Sequence, residues 1–258
     1  MRQQAITSTR GRGLLAAILL SFLVFVALAA SAAQGGFLQV DHDARALLQI
    51  TRQALLDEPM RLVSRLGDSS GLIPLIGLGV GCLWWRHRAW ALALPALMIG
   101  TGVLQFVSKW AVDRPRPNLQ EWGFPSGHVL SVVVFFGLMM YLLCLPARGR
   151  IRRWLGGALC GGAVVCVAFS RVYLEAHWVS DVAGGFTLGL AYLLFAIWLA
   201  EAMAAVRQHP ATLGVCLPNP LRWSLAITGS RFRFERRLRR RNPFLGEASE
   251  GAPTAPSD

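Results

Sequence analysis

Residues 109–128 have the sequence KWAVDRPRPNLQEWGFPSGH and separate two long apolar segments, 89–108 and 128–146. A helix that crosses a bilayer needs about 20 mostly apolar residues, so each flanking segment is a candidate span. The charged, proline-rich stretch between them is then a loop at the membrane surface. Two spans joined by a polar loop are the unit from which we predict the rest of the fold.

The composition of the whole chain indicates a membrane protein. Of its 258 residues, 54% are hydrophobic and only 16% are charged, whereas soluble domains carry about 25% charged residues. The candidate spans are 13–33, 71–86, 89–108, 128–146, 154–174 and 180–206. We therefore predict an all-α fold: a polytopic membrane helix bundle with six transmembrane helices, forming one domain over residues 1–206.

Basic residues predict the orientation of this bundle. They cluster before the first span and after alternate later spans, at 2–12, 86–88, 148–153 and 207–241. Because cytoplasmic loops collect Arg and Lys, we expect both termini in the cytoplasm. The 109–128 loop then faces the periplasm or exterior of the inner (plasma) membrane.

The last 52 residues, 207–258, are predicted to be a basic cytoplasmic tail, disordered from about Gly246. Its arginines are expected to bind anionic lipid headgroups. The net charge of +12 does not indicate a nucleic-acid partner, because no folded nucleic-acid-binding motif accompanies it.

Three further segments give local predictions. The apolar run that begins at Leu14 ends in small residues, as at a signal-peptidase site, but a retained first helix is favoured over a cleaved one. Residues 41–70 alternate apolar and charged positions at helical spacing, which predicts one or two interfacial amphipathic helices, the second starting at Pro59. They would form either a lid or lipid ramp beside the site, or a connector. Glycines in 156–162 predict close packing of the fifth span.

The first polar group of chemical interest is Lys109 with Arg116. Lys109 is the only lysine, since the other 25 of the 26 Lys and Arg residues are arginine. Arg116 lies between two prolines on a stiff extended segment, and its planar guanidinium suits bidentate contact with phosphate oxygens. Nearby Arg114 is expected to be solvated or paired with Asp113.

The second group, Pro125-Ser126-Gly127-His128, opens the fourth span. Ser126 is a natural N-cap, and Gly127 lets the backbone approach a ligand. A helix N-terminus attracts anions, so His128 in the first turn is placed to donate a proton to a group that the anion releases.

The third group is Ser170-Arg171, His177 and Asp181. The last two are four residues apart and would share a face of a helix. A carboxylate on one imidazole nitrogen fixes the tautomer and leaves the other nitrogen as nucleophile or base. A structural His–Asp pair is the alternative. A metal site built from His128, His177 and Asp181 is disfavoured by the three cations around it.

Together these residues resemble the three-part signature of the type 2 phosphatidic acid phosphatase superfamily. That signature is Lys, six residues, Arg-Pro; then Pro-Ser-Gly-His; then Ser-Arg, five residues, His, three residues, Asp. The sequence meets every defined position, with a short gap of seven residues between Pro117 and Pro125.

The resemblance implies an integral membrane enzyme that hydrolyses a lipid phosphate or diphosphate without a metal or other cofactor. His177 would attack phosphorus and form a phosphohistidine, Asp181 would orient it, and His128 would protonate the leaving oxygen. The implied phosphate-binding residues are Lys109, Arg116, Ser126, Gly127 and Arg171. Related enzymes act on undecaprenyl diphosphate, phosphatidylglycerol phosphate or phosphatidic acid.

Two other functions stay open at this point. A lipid phosphotransferase would use the same intermediate and pass the phosphoryl group to another lipid. A non-catalytic lipid-binding or transport protein would use the same scaffold, although the complete His128, His177 and Asp181 set disfavours it.

Overall fold

The computed structural model describes residues 2–147 and 149–208 of the chain. Every regular element in this part is helical: α1 Arg2–Ala33, α2 Gln39–Thr51, α3 Ala54–Ser64, α4 Ser69–Trp84, α5 Arg88–Val112, α6 Gly127–Met139, α7 Arg150–Tyr173 and α8 Val179–Gln208. A 3₁₀ turn, Arg65–Gly67, joins α3 to α4, and a π-helical turn, Met140–Cys144, extends α6. The predicted basic tail lies outside the described residues from position 209 onward.

Five spans in the described residues are long and apolar enough to cross a membrane: Gly11–Ala33, Arg88–Val112, Gly127–Cys144, Arg150–Tyr173 and Val179–Ala204. The other predicted span, 71–86, corresponds to α4, which has only 16 residues and is bent by 47° from α3. The number reaches six if that bent pair is one span. The predicted all-α membrane bundle is confirmed.

Helix α6 lies at the centre of the bundle, in contact with α5, α7 and α8. In its span 61% of the residues are buried, against 6% in the span of α1, which packs along α8. The sequence GHVLSVVVFFGLM explains this position, because a helix that is apolar on all sides is stable only when other helices or lipid surround it.

Glycines on α8, rather than on α7, give the closest helix packing. A Cβ atom at Gly189 would lie 2.9 Å from the Leu130 carbonyl oxygen, and one at Gly185 would overlap the Ser126 carbonyl oxygen. On α7 only Gly156 abuts another helix, at Cys144, whereas a Cβ at Gly157 or at either glycine of 161–162 would meet nothing within 4 Å. The predicted close packing of the fifth span is therefore wrong for most of its glycines, which face outward.

Helices α2 and α3 lie at the end of the bundle where α1 ends and α8 begins. Their apolar side chains face outward, with Ile50 and Leu55 both 84% exposed, as expected for helices at a membrane interface. The prediction that Pro59 starts the second helix is wrong, because α3 begins five residues earlier. The Tyr173 hydroxyl donates to the Gln53 carbonyl (2.8 Å) and accepts from the Gln53 N–H (3.1 Å), so a contact with α7 sets where α3 starts.

Candidate active site

Four helix ends meet at one end of the bundle and enclose a cavity of about 680 Å³. They are the C-termini of α5 and α7 and the N-termini of α6 and α8. Successive helices run in opposite directions, so these four ends lie at the same end of the bundle. Six of the eight predicted site residues line this cavity: Lys109, Arg116, Gly127, His128, Arg171 and His177. The other two, Ser126 and Asp181, are fully buried directly behind its wall. The fold thus brings together three groups that are distant in sequence.

Three cations face the cavity from three different segments. Lys109 is 9% exposed in the last turn of α5, and its ammonium group donates to the Trp122 carbonyl. Arg171, in the last turn of α7, donates to the Ser64 hydroxyl at 2.6 Å. Among the described residues none of the cations, Arg116 included, forms an ion pair with a carboxylate. Their charges are therefore available to an anion in the cavity.

Arg116 is held by a short turn of its own loop. Its N–H donates to the Gln120 carbonyl at 2.8 Å, and its guanidinium donates to the Gln120 side-chain oxygen at 3.2 Å. Burial lowers the pKa of Arg116, and the nearby Asp181 charge partly opposes this effect. A guanidinium whose charged form is disfavoured by burial gains most from an anionic ligand.

Ser126 is the N-cap residue of α6, as predicted, but its hydroxyl makes no cap hydrogen bond. The hydroxyl is completely buried and has no partner among the described atoms. The Ser126 N–H instead donates to the Asp181 carbonyl at 3.0 Å, which ties the start of α6 to the start of α8. A buried hydroxyl without a partner is costly, so this donor is suited to a ligand oxygen at the helix N-terminus.

Gly127 has a packing reason to be glycine in addition to the predicted ligand approach. A Cβ atom here would overlap Oε1 of Gln105, a residue of α5 one helical turn before Lys109 that also lines the cavity. The carboxamide of Gln105 therefore occupies the space that a side chain at 127 would need. Gln105 was not predicted from the sequence, because it lies inside an apolar span with no motif around it.

His177 precedes α8 and is not part of it. The prediction that His177 and Asp181 share a helix face is wrong, because α8 begins at Val179. Their side chains nevertheless approach across the first turn, with Nδ1 of His177 3.5 Å from Oδ2 of Asp181. The same Oδ2 accepts a hydrogen bond from the Trp178 N–H at 3.0 Å. This arrangement leaves Nε2 of His177 as the ring nitrogen not directed at the carboxylate.

The His177 imidazole is neutral at physiological pH. It is 3% exposed, and its pKa is lowered from 6.5 to about 4, chiefly by burial. Asp181 acts in the opposite direction, while Arg171 and Lys109 contribute to the lowering. A neutral imidazole carries the free electron pair that a nucleophile needs.

His128 faces the cavity from the first turn of α6, beside the turn that joins α3 to α4. A Cβ atom at Gly67 would lie 2.8 Å from the His128 Cβ, so this turn packs directly against the histidine. Ser64, which binds Arg171, and Asp68, which lines the cavity, belong to the same bend. The segment predicted as either lid or connector therefore touches two of the predicted site residues.

The prediction for Arg114 is wrong. The residue is 2% exposed, and its side chain pairs with Asp41 and Asp181, not with Asp113. Asp113 ends α5 in the left-handed conformation, with φ 39° and ψ 52°, and this sharp change of direction separates the two side chains. The sequence does not reveal the partners of Arg114, because Asp41 is 73 residues away.

The cavity continues away from the cations between α4 and α5. Its walls there are apolar apart from Thr101 and Ser131, whose hydroxyls lie 3.3 Å apart. The apolar lining residues are Leu72, Ile73, Ile76, Pro95, Met98 and Ile99. One cavity thus combines a cationic end with an apolar channel between two membrane helices.

Comparisons with known proteins identify the family of this chain. The sequence profile of the PAP2 superfamily matches residues 90–203. Phosphatidylglycerophosphatase B of Bacillus subtilis is 32% identical over 197 residues, which cover 72% of this chain and 96% of that protein. The undecaprenyl-diphosphatase of Sulfolobus acidocaldarius is 28% identical over 155 residues, which cover 55% of this chain and 70% of that protein.

The fold has a solved counterpart. The crystal structure of the transmembrane PAP2-type phosphatidylglycerolphosphate phosphatase from Bacillus subtilis superposes with a TM-score of 0.61 at 28% identity. The match covers 72% of this chain and 96% of that one. The family predicted from the three motifs is confirmed, and this multi-pass membrane chain belongs to the PAP2 superfamily.

Proposed function

We propose that the protein is a membrane lipid phosphatase that works through a phosphohistidine on His177. The observation that carries this proposal is the single cavity in which a cationic end meets an apolar channel between α4 and α5. The cationic end suits a phosphate group, and the channel suits the acyl or prenyl chain attached to it.

The first step transfers the phosphoryl group to the enzyme. Nε2 of His177 attacks phosphorus, the bond from phosphorus to the lipid oxygen breaks, and His128 gives its proton to that oxygen. Asp181, on the Nδ1 side of the ring at 3.5 Å, stabilises the positive charge that develops on the imidazole. A lipid alcohol, or a lipid monophosphate from a diphosphate, leaves along the channel.

The second step returns the enzyme to its starting state. His128, now unprotonated, takes a proton from water as the water oxygen attacks phosphorus. The phosphorus–nitrogen bond breaks, inorganic phosphate forms, and His177 is again a neutral imidazole. The same residue thus acts as acid and then as base, as two-step hydrolysis requires.

The charge on the transferring phosphoryl group is balanced by three cations and the start of α6. Lys109, Arg116 and Arg171 point into the cavity, and the Ser126 hydroxyl and Gly127 N–H lie at the helix N-terminus. Donors of this kind contribute about 3 kcal/mol each to transition-state stabilisation. Within the described residues no three His, Cys, Asp or Glu side chains are grouped as metal ligands, and we propose that these cations do the work without a metal.

The relatives narrow the substrate class. Their names identify phosphatidylglycerophosphatase and undecaprenyl-diphosphatase activities, so the panel for this chain is phosphatidylglycerol phosphate, undecaprenyl diphosphate and phosphatidic acid. We further propose that residues 1–206 form the catalytic domain in the inner membrane. The distribution of basic residues supports cytoplasmic termini and a site that faces the periplasm or exterior.

The test is phosphate release by the purified protein in detergent from each lipid of the panel, with EDTA present. The matched variants are His177→Ala and His42→Ala, since His42 is an exposed histidine at the same end of the bundle that does not line the cavity. We expect release by the wild type and by His42→Ala only. Equal release by His177→Ala would refute the assignment of His177 as the nucleophile. Activity that is lost in EDTA and restored by Mg²⁺ would refute metal independence.

A result without phosphate release is also informative. Transfer of phosphate from one lipid to an added acceptor lipid, absent in His177→Ala, would identify a phosphotransferase with the same intermediate. Binding of the lipid panel without either reaction would identify a non-catalytic lipid-binding protein.

A further inference from the structure

A buried charge network lies behind His177, on the side away from the cavity. Its centre is Arg114, whose terminal nitrogens divide between two carboxylates. Nη1 donates to Oδ1 of Asp181 at 2.8 Å and to the Ser180 hydroxyl at 2.7 Å. Nη2 donates to Oδ2 of Asp41 at 3.0 Å and to the Gly36 carbonyl at 3.0 Å. The charged groups of Arg114, Asp41 and Asp181 are all at most 2% exposed.

Asp41 is held as firmly as Arg114. Its Oδ1 accepts from the Ser180 N–H at 2.8 Å, and its Oδ2 accepts from the Ser180 hydroxyl at 2.6 Å. Oδ2 also accepts from the Leu38 N–H at 3.2 Å, at the start of α2. The carboxylate therefore joins α2 to the first turn of α8, where Asp181 follows Ser180.

The arrangement divides the charge of one guanidinium between two carboxylates. One positive and two negative charges leave a net charge of −1 in a region without solvent. The Asp181 oxygen that faces His177 is Oδ2, whereas the oxygen that faces Arg114 is Oδ1. How strongly Arg114 attracts Asp181 depends on how much of its charge Asp41 already neutralises, because such interactions are strong in a low-dielectric interior.

We propose that Arg114 and Asp41 are positioning residues for the reaction: they fix the Asp181 carboxylate and set how much of its negative charge supports His177. This inference rests on the proposed function, since His177 is taken there as the nucleophile. The structural alternative is a pair that only anchors α2 to the bundle. Buried ion pairs are weak evidence for stability by themselves, so a role in reactivity has to be tested separately.

The two residues have opposite electrostatic effects on His177. Removal of Asp41 leaves Arg114 to Asp181 alone, which weakens the negative charge that His177 experiences. Removal of the charges of both Arg114 and Asp41 leaves Asp181 without a cationic partner, which strengthens the negative charge that His177 experiences. The other charged groups that face His177 are Arg171 on α7, Lys109 on α5 and His128 on α6, and neither change alters them.

The test compares Asp41→Asn with the double variant Asp41→Asn/Arg114→Gln. Asp43→Asn is the matched control, because Asp43 is exposed on the same helix and bonds only to Gln39 among the described residues. For each purified protein we would measure kcat and KM across pH on the lipid that the wild type hydrolyses best. We expect Asp41→Asn to lower kcat about tenfold or more, as for groups that support a reactive side chain from behind, with KM little changed.

A second measurement needs no substrate. Titration of ¹⁵N-labelled histidine by NMR in micelles, with the His177 signal assigned from His177→Ala, reports the protonation of this ring directly. We expect the His177 pKa to fall in Asp41→Asn and to rise in the double variant. These shifts can be observed even if the wild type releases no phosphate, so failure of the proposed function is distinguishable from failure of this inference.

Opposite shifts of the His177 titration would support the positioning role. The proposal would be overturned if Asp41→Asn showed the same kcat and the same His177 titration as Asp43→Asn, whatever the change in thermal stability. If Asp41→Asn does not fold, Ser180→Ala replaces it, since it removes the bridging hydroxyl without changing charge. It is expected to shift the titration in the direction of Asp41→Asn by a smaller amount, and an unchanged titration there would also overturn the proposal.

Discussion

Arg114 and Arg116 lie two residues apart in one proline-rich segment, yet their side chains end in opposite environments. The terminal nitrogens of Arg114 are bonded to Asp41, Ser180, Asp181 and the Gly36 carbonyl, away from water. Arg116 lines the cavity, and the only side chain to which it is bonded among the described residues is the neutral Gln120. The same chemical group thus supports the fold when its charge is matched, and can bind a ligand when it is not.

The comparison extends to the two sides of His177. On the cavity side, none of the three cations has a carboxylate partner among the described residues, so their charges are available to an anion. Behind the ring, one cation, Arg114, already has two carboxylate partners and needs no further anion. The imidazole between them experiences an excess of positive charge on one side and of negative charge on the other. This polarity is what the proposed nucleophilic attack on a phosphate ester requires.

The largest expected effect is on stability, from Arg114→Ala. This change leaves two buried carboxylates without their cation, and breaking a buried pair in this way costs about 3–5 kcal/mol. We expect a lower thermal unfolding midpoint in detergent than for the wild type. Arg45→Ala is the control, because Arg45 bonds to the Pro117 carbonyl at 3.2 Å and stacks on Trp178 but forms no ion pair among the described residues. Equal midpoints for the two variants would contradict the prediction.

Arg116→Ala should show the reverse behaviour. Loss of one hydrogen-bond donor to the phosphate is expected to reduce kcat/KM about 10²–10³-fold, through weaker transition-state stabilisation. Its unfolding midpoint should stay close to that of the wild type, because no carboxylate in the described part of the chain loses a partner. The measurement is phosphate release beside thermal unfolding of the same preparation. A midpoint that falls as far as in Arg114→Ala would remove the distinction between the two arginines.

Gly127→Ala tests the packing beside these cations. The new Cβ would overlap Gln105, and overpacking of this kind costs about 1–3 kcal/mol. We expect lower stability and activity than for Gly77→Ala, where nothing lies within 4 Å of the added Cβ. The double variant Gly127→Ala/Gln105→Ala should recover most of the stability. Failure to recover would show that overlap with Gln105 is not the reason why alanine is unfavourable at position 127.

The smallest effect concerns the pH profile. The His177 pKa is lowered to about 4, chiefly by burial, with Asp181 opposing the shift and Arg171 and Lys109 contributing to it. His177 is then unprotonated and nucleophilic down to pH values near 4, and it loses this form only below them. We expect kcat/KM to show no acid limb from His177 near its ordinary pKa of 6.5 and to decline near pH 4. An acid limb near pH 6.5 that persists when His128 is replaced would contradict this prediction.

Much of the site was predictable because motif residues stand at span ends. Lys109, Arg116, His128, Arg171 and His177 follow or precede long apolar segments, and alternate ends of spans must meet on one side of a membrane. The order of the residues along the chain therefore places them in one layer, without any knowledge of helix packing.

Other features depended on contacts between distant segments. The hydroxyl of Ser126 makes no cap bond, and the start of α3 is set by Tyr173 and not by Pro59. The glycines of α7 and α8 look alike in sequence, but only those of α8 pack closely against α6. At the start of α3 a tertiary neighbour overrides a local preference that is worth only about 1 kcal/mol.

Spacing and hydrophobicity were sufficient for the membrane bundle, the family and the chemical groups at one end of the bundle, because each rests on residue type and order alone. The burial and pairing of Arg114 were not accessible in this way. They depend on Asp41, 73 residues before Arg114 in the chain, and on Asp181, 67 residues after it. Only the folded chain brings these charges within hydrogen-bonding distance, and at that distance, away from water, electrostatics decides which arginine is paired and which is free.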